Sequence, residues 1–95
     1  MINGAGGSIG TYVVQIAKSL EAEVTCVDST RKLAMLRSIG ADHVIDYTQT
    51  DFTQSGERYD VIIDVVGKSS FSRSISCLKQ NGRYVLGADC QIVRR

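Results

Sequence analysis

The sequence contains no proline, only one histidine and three cysteines among its 95 residues. Cys26, Cys77 and Cys90 lie far apart and form no CxxC pair, which argues against a zinc knuckle, a redox dithiol or a disulfide framework. Isolated thiols of this kind are typical of a reducing compartment, so a cytoplasmic protein is expected. His43 has no accompanying pattern of cysteine, histidine or carboxylate ligands, so no metal site is predicted.

The sequence also lacks a long apolar run and an excess of charge of either sign. No segment approaches the roughly 18 apolar residues that cross a bilayer, and no signal-peptide pattern precedes the first glycines, so no membrane association is expected. Eleven basic and ten acidic residues are scattered along the chain and leave a formal net charge of +1, which forms no basic stripe for nucleic acid. The charge pattern therefore indicates no macromolecular partner.

What the sequence does contain is an alternation of strand and helix patterns. A hydrophobic content of 43% in a chain of this length fits one α/β domain. The predicted strands cover residues 1–3, 23–28, 44–45, 60–66 and 83–87. Because their apolar runs are typical of strands covered on both faces, the predicted fold is a Rossmann-type doubly wound parallel sheet with strand order 3-2-1-4-5.

Helical patterns separate these strands. In the first helix, five apolar residues recur at helical spacing and are predicted to face the sheet: Ile9, Val13, Ile16, Ala17 and Leu20. The second helix is predicted to be capped by Ser29 or Thr30, to run to about Ser38 and to end at Gly40. The third is predicted to bury Phe71, Ile75 and Leu78 and to end at Asn81-Gly82. The polar stretch 48–58 is predicted to be a loop, with room for one helical turn.

The predicted sheet is incomplete. Only three residues precede the glycines, although a typical strand has about five or six. Residues 1–88 are interpreted as a dinucleotide-binding domain and residues 89–95 as a C-terminal tail, in a fragment of a longer protein. Because the central strand is clipped, the isolated chain is expected to be unstable or oligomeric.

A glycine-rich loop separates the first strand from the first helix. Residues 4–10 read GAGGSIG, and glycines at a helix N-terminus can bring its unpaired N–H groups close to a pyrophosphate. In one frame Ala5, Gly7 and Gly10 form AxGxxG, a variant of the dinucleotide fingerprint in which Gly7 admits the pyrophosphate and Gly10 allows close packing of helix and strand. In another frame Gly4, Gly7 and Gly10 are evenly spaced, a looser pattern found in short-chain dehydrogenases. The motif alone does not choose between them.

Asp28 follows the last glycine of the loop by 18 residues, near the interval of about 20 expected for a ribose contact. This context favours nucleotide binding over a loop whose glycines merely permit a tight turn. A carboxylate there would accept hydrogen bonds from the ribose and repel a 2′-phosphate, which favours NAD. Its neighbours Ser29, Arg31 and Lys32 supply a hydroxyl and two positive charges that suit the 2′-phosphate of NADP, so the preference stays open.

Four segments together carry a family resemblance. They read NGAGGSIGTYVVQIAK at 3–18, GADHVIDY at 40–47, YDVIIDVVG at 59–67 and GRYVLG at 82–87. In this order and spacing they resemble the cofactor domain of medium-chain, zinc-type alcohol dehydrogenase-like reductases, in the quinone oxidoreductase branch. The resemblance implies an NAD(P)H-dependent oxidoreductase, homo-oligomeric and with a GroES-like substrate domain outside this chain. Such enzymes transfer hydride from the nicotinamide to a quinone, an enone or a related carbonyl compound, without zinc.

The resemblance also assigns roles to residues of the loop. The backbone from Gly6 to Gly10, including Gly7, Ser8 and Ile9, would line the pyrophosphate. The order Gly6-Gly7-Ser8 departs from the commoner Ser-Gly-Gly, which puts in doubt how closely the phosphate is approached.

Further roles fall on residues after the strands. Ser29 and Lys32 match positions that contact the adenosine phosphate in NADPH-using members, and Tyr47 matches a residue that lies against the same phosphate. Val66 and Gly67 match the turn beside the ribose on the nicotinamide side. Asp28 is a departure, because similar proteins usually have a small or uncharged residue there, and this puts the NADPH preference in doubt.

No residue of the chain is predicted to be catalytic. Asp64 is interpreted as a strand-end carboxylate bonded to backbone N–H groups, Cys26 as a small core residue, and Tyr59 and Tyr84 as packing residues. No tyrosine is followed four residues later by lysine, so the acid-base pair of short-chain dehydrogenases is absent. Two alternatives stay open: a truncated short-chain nucleotide-sugar dehydratase or epimerase, indicated by the glycine loop alone, and a non-catalytic nucleotide-binding module.

Overall fold

The computed structural model describes residues 1–66, 71–87 and 91–94. Within these residues one sheet contains β1 (Ile2–Asn3), β2 (Thr25–Asp28), β3 (His43–Asp46), β4 (Tyr59–Asp64), β5 (Leu78–Leu86) and β6 (Gln91–Arg94). The helices are α1 (Ser8–Ser19), α2 (Leu33–Ser38) and α3 (Phe71–Ser76). None of the helices in these described ranges is long and apolar enough to span a membrane.

The strand order is β3-β2-β1-β4-β5-β6. The first five strands pair in parallel, which confirms the predicted α/β fold and its 3-2-1-4-5 order. The sixth strand pairs antiparallel with β5. It lies within the segment 89–95, interpreted as a C-terminal tail, where the sequence predicted no strand. An antiparallel neighbour needs only a short connection, and a four-residue strand is too short for its periodicity to be recognised.

The short strand β1 lies at the centre of the sheet, as predicted. Ile2 pairs with Cys26 of β2 on one side and with Ile63 of β4 on the other. Alternate residues of the strands face opposite sides and supply two apolar clusters. One cluster comprises Met1, Val27, Phe52, Ile62, Cys77, Leu78 and Tyr84. The other comprises Ile2, Ala5, Val14, Val24, Cys26 and Leu36.

The helix α1 packs on the sheet through a different face from the predicted one. Gly10 and Val14 are its buried residues, whereas Ile9, Ile16 and Leu20 are exposed, so the prediction is wrong for those three. Val13 and Ala17 are partly buried and pack against the core as predicted. The physical reason is that a Cβ on Gly10 would lie only 2.6 Å from the backbone oxygen of Ala5. The helix therefore approaches the strand through its smallest residue, which a search for large apolar residues overlooks.

A 3-10 turn at Thr30–Lys32 precedes α2. The side chain of Ser29 makes no capping hydrogen bond, and the Thr30 hydroxyl donates instead to the Asp46 carboxylate, so the predicted cap is wrong. The helix ends at Ser38 and Gly40 follows with a φ of +116°, as expected for a glycine that terminates a helix.

The segment 77–82 departs from the prediction. The helix α3 ends at Ser76, and Leu78 begins β5, so neither Leu78 nor Asn81-Gly82 belongs to the helix as predicted. Asn81 has a φ of +67°, and the register shifts from Tyr59 paired with Leu78 to Val61 paired with Arg83. The extra residues form a bulge in β5. Asn-Gly suits a positive φ in a bulge as well as at a helix end, so the local sequence does not distinguish the two. Ile75 packs against the core, and the side chain of Phe71 lies outside the described part.

Candidate functional site

A cleft of about 880 Å³ lies at the carboxyl edge of β1, β2 and β4, beside the first turn of α1. In open α/β sheets, ligands bind at this edge where the strand order reverses, which here is the position of β1. Eight of the residues predicted from the sequence line the cleft: Gly7, Ser8, Ile9, Gly10, Asp28, Lys32, Tyr47 and Val66.

The glycine loop turns sharply at Gly4. This residue has a φ of +82°, and its N–H donates to the Val27 oxygen at 2.8 Å. A Cβ at this position would collide with a side-chain methyl of Val66. Gly4 therefore provides the tight turn, and fully buried Ala5 lies beneath Gly10. The geometry thus favours the frame formed by Gly4, Gly7 and Gly10, which the sequence left open.

The first turn of α1 is open towards the cleft. Gly7 is at the N-cap position, and no side chain caps the helix. Among the described residues, the N–H groups of Ser8, Ile9 and Gly10 have no hydrogen-bond partner, as is usual for the first turn of a helix. A Cβ on Gly7 would meet only the Gly4 oxygen, at 3.9 Å. These unpaired donors and the positive end of the helix dipole fit an anionic group such as a diphosphate.

The amide of Gly6 already has a hydrogen-bond partner within the protein. It donates to Oδ2 of Asp28 at 2.6 Å, while the Ser29 N–H donates to Oδ1 at 2.6 Å. Gly6 is accordingly not among the residues that line the cleft. The loop therefore offers fewer amides than the predicted run from Gly6 to Gly10.

Positive charge at the cleft comes from Lys32. Its Nζ lies 3.5 Å from the Gly6 oxygen, and Tyr47 lines the same region with an exposed ring. Ser29 and Arg31 were predicted beside Lys32 but do not line the cleft.

Below Tyr47, the Asp46 carboxylate ends β3. It accepts hydrogen bonds from the hydroxyls of Thr30 and Thr48 and from the Thr48 N–H. These bonds hold the pKa of Asp46 below its usual value, and the bond from the Thr30 hydroxyl has the largest effect. The 3-10 turn that carries Lys32 is thereby tied to the end of β3.

A buried carboxylate supports the wall formed by the end of β4. Asp64 is 1% exposed, and it accepts hydrogen bonds from the Val66 N–H at 3.0 Å and from the Tyr84 hydroxyl at 2.7 Å. This confirms the interpretation of Asp64 as a strand-end carboxylate bonded to a backbone N–H. Burial raises the pKa of Tyr84, and the bond to Asp64 raises it further, so the hydroxyl remains a donor. Val65 and Val66 line the cleft above it, whereas Gly67 lies outside the described residues.

The sequence did not reveal one wall of the cleft. Thr50, Asp51 and Phe52 come from the loop after β3, where a 3-10 turn spans Phe52–Gln54. Phe52 is 5% exposed and packs into the core. A single large apolar residue in the otherwise polar stretch 48–58 is the signal that could have identified this wall.

Side chains that could bind a metal are dispersed in the part of the chain that the structure describes. In the described ranges, no three His, Cys, Asp or Glu side chains group so as to hold a metal. His43 Nε2 lies 2.6 Å from Oε1 of Glu23 at the opposite edge of the sheet. Burial raises the pKa of the Cys26 thiol to about 11, as expected for a cysteine in the core.

Comparisons with known proteins agree with this geometry. The family model described as zinc-binding dehydrogenase matches residues 8–89, and the chain belongs to that family. It is 37% identical over 87 residues to an NADPH-dependent alkenal/one oxidoreductase of Arabidopsis thaliana, covering 90% of this chain and 22% of that protein. The predicted membership of the medium-chain, alcohol dehydrogenase-like superfamily is confirmed.

Solved structures lead to the same family. The quinone oxidoreductase of Coxiella burnetii superimposes with a TM-score of 0.82 at 34% identity, over 88% of this chain and 27% of that one. An Escherichia coli quinone oxidoreductase complexed with NADPH gives a TM-score of 0.77 at 28% identity, over 88% of this chain and 28% of that one. The chain thus spans about a quarter of the length of the proteins that it matches.

Proposed function

We propose that this chain is the dinucleotide-binding part of an NAD(P)H-dependent oxidoreductase that reduces a quinone, an enone or a related carbonyl compound. The observation that carries the proposal is the uncapped first turn of α1, which faces a cleft at the carboxyl edge of the sheet. The family membership and the names of similar proteins, which include quinone and alkenal oxidoreductases, support the substrate class.

The residues of the cleft suggest a division of roles. The amides of Ser8, Ile9 and Gly10 would bind the diphosphate, because they lie at the positive end of a helix dipole and have no partner in the described part of the chain. Val66 would lie against the ribose on the nicotinamide side, as would Gly67. When bound, the nicotinamide supplies the hydride, and the protein positions it and excludes water. No side chain of this chain is assigned a proton-transfer role.

For the adenosine end we propose a preference for NADPH. Lys32 brings an ammonium group to the cleft and Tyr47 brings an exposed ring, the kinds of groups that suit a 2′-phosphate. Both carboxylate oxygens of Asp28 already accept a backbone N–H, from Gly6 and from Ser29, at 2.6 Å. Fewer of their lone pairs remain to accept hydrogen bonds from the ribose hydroxyls of NADH. Arg31 is exposed and would act through its charge, and Ser29 through its hydroxyl.

A calorimetric titration of the intact protein with NADPH and with NADH tests the proposal. We expect saturable binding of at least one cofactor, and Lys32→Met should weaken NADPH by about tenfold while changing NADH little. Lys79→Met is the matched control, because Lys79 lies away from the cleft and faces Asp60 at 3.6 Å. Absence of binding at about millimolar concentration of either cofactor, a typical upper limit for substrate affinities, would contradict the proposal.

Further proposals concern the protein as a whole. Residues 1–88 would form the cofactor-binding unit, and a homo-oligomeric protein with a separate substrate domain would carry the activity. Cys26 and Cys77 are buried free thiols, which supports a reducing compartment such as the cytoplasm. Imaging of the tagged protein tests the compartment, and sedimentation equilibrium tests the assembly.

A further inference from the structure

The carboxylate of Asp28 joins two backbone segments that are separate in the sequence. One oxygen accepts the N–H of Gly6 in the glycine loop, and the other accepts the N–H of Ser29 at the start of the 3-10 turn, each at 2.6 Å. Short bonds to an ionised acceptor are among the stronger hydrogen bonds in proteins. Asp28 therefore fixes the loop to the end of β2.

The peptide groups of Gly6 lie close to two side chains, and the short bond is the one to Asp28. Its N–H is bound by Asp28, and its oxygen lies 3.5 Å from Nζ of Lys32. A Cβ at this position would lie 2.7 Å from Oδ2 of Asp28 and would also collide with the Lys32 side chain. Gly7, the next residue, is the N-cap residue of α1. Gly6 therefore leads directly into the first turn of α1, whose residues Ser8 to Gly10 line the cleft.

We propose that Asp28 is a positioning residue that holds the glycine loop in its binding conformation for NADH and NADPH alike. This inference rests on the proposed function. Its physical basis is that both carboxylate oxygens already accept backbone N–H groups, and the loop that they hold faces the diphosphate, which the two cofactors share. A residue that mainly selected between the cofactors would act at the ribose, where they differ.

The two roles predict different effects of the same substitutions. If Asp28 holds the loop, Asp28→Ala weakens both cofactors by about tenfold or more and leaves their affinity ratio within about twofold. Asp28→Asn, which retains one acceptor oxygen, should give a smaller loss for both. If Asp28 selects the cofactor, Asp28→Ala weakens NADH and strengthens NADPH, and this result would overturn the inference.

Asp42→Ala is the matched control for a loss of stability. Asp42 also accepts a backbone N–H, from Val24 at 2.8 Å, but it does not touch the loop or the cleft. This variant should lower the melting temperature without changing either cofactor affinity. If it weakened the cofactors as much as Asp28→Ala does, the effect would reflect stability alone and the inference would be wrong.

Amide hydrogen exchange separates this inference from the proposed function. In the unliganded protein, Asp28→Asn should accelerate exchange at Gly6 and Ser29 more than at Val24. Unchanged exchange at Gly6 would show that the loop does not depend on Asp28. A wild-type protein that binds neither cofactor would overturn the proposed function and, with it, the cofactor part of the inference, while the exchange data would still report on the loop.

Discussion

The Tyr84 hydroxyl donates a 2.7 Å hydrogen bond to the buried carboxylate of Asp64, which joins the adjacent strands β5 and β4 beneath the cleft. Asn3 of β1 adds a longer contact from its Nδ2 to Oδ1 at 3.4 Å. The Val66 N–H also donates to Asp64, so the turn that lines the cleft is part of the same network. Polar groups buried in this way stabilise a fold only when each has its partners.

Removing the hydroxyl should therefore destabilise the protein. Tyr84→Phe deprives the Asp64 carboxylate of a buried donor, and we expect a loss of about 1–3 kcal/mol in the free energy of unfolding. Urea denaturation measures it, and Tyr12→Phe, at a ring that is 69% exposed, should change the stability by less than about 0.5 kcal/mol. Equal stability of wild type and Tyr84→Phe would show that the bond contributes nothing.

Two glycines of the loop should respond differently to alanine, one mainly in stability and the other mainly in cofactor binding. A Cβ on Gly10 would lie 2.6 Å from the backbone oxygen of Ala5, so Gly10→Ala should destabilise the protein by about 1–3 kcal/mol. That cost exceeds the gain of about 0.5–1 kcal/mol from replacing glycine inside a helix. A Cβ on Gly7 would meet only the Gly4 oxygen at 3.9 Å, and its φ of −80° suits any residue. Gly7→Ala should weaken cofactor binding and cost about 1 kcal/mol of stability or less, since alanine is a poorer N-cap than glycine.

Thermal melts and cofactor titrations of both variants check this pair. If Gly7→Ala bound NADPH as the wild type does, the open space beside Gly7 would not be part of the cofactor site. If Gly10→Ala were as stable as the wild type, the close contact between α1 and the loop would leave room for a Cβ, and position 10 would not require glycine.

Two leucines, one buried and one exposed, test which residues of the helices contribute to the core. Leu36 is fully buried in α2, so Leu36→Ala should cost about 2–5 kcal/mol of unfolding free energy. Leu20 is 75% exposed just after α1, so Leu20→Ala should change the stability by less than about 0.5 kcal/mol. Denaturant unfolding measures both. A large loss of unfolding free energy for Leu20→Ala would mean that Leu20 packs against the sheet, as the sequence predicted.

The sequence predicted the sheet order because its strands are apolar runs separated by helical patterns, and this alternation restricts the topology. It also predicted most of the cleft, since the glycine loop and the ends of β2 and β4 must meet at one edge of a parallel sheet. The bulge at Asn81 was missed because the same dipeptide suits a helix end.

Two further features were not predicted, and the cause is a different one. The partner of Asp28 is an amide 22 residues away, and no local pattern encodes such a bond. The exposure of Ile16 was missed because the hydrophobic pattern cannot show that the helix rests on Gly10, a residue without a side chain.

Asp42 should make the stability depend on pH. The pKa of Asp42 is held below its usual value. The largest cause is the hydrogen bond from the Val24 N–H, and the next is the bond from the Lys18 side chain. A carboxyl whose pKa is lowered by folding contributes stability above its unfolded-state pKa of about 4, and this contribution is lost as the pH falls through the lower folded-state value. The difference in urea midpoint between wild type and Asp42→Asn should therefore be present at about pH 7 and shrink towards about pH 3. Glu57→Gln, at an exposed position, controls for the loss of one negative charge. A difference that stayed the same at both pH values would mean that the ionised Asp42 carboxylate does not stabilise the fold.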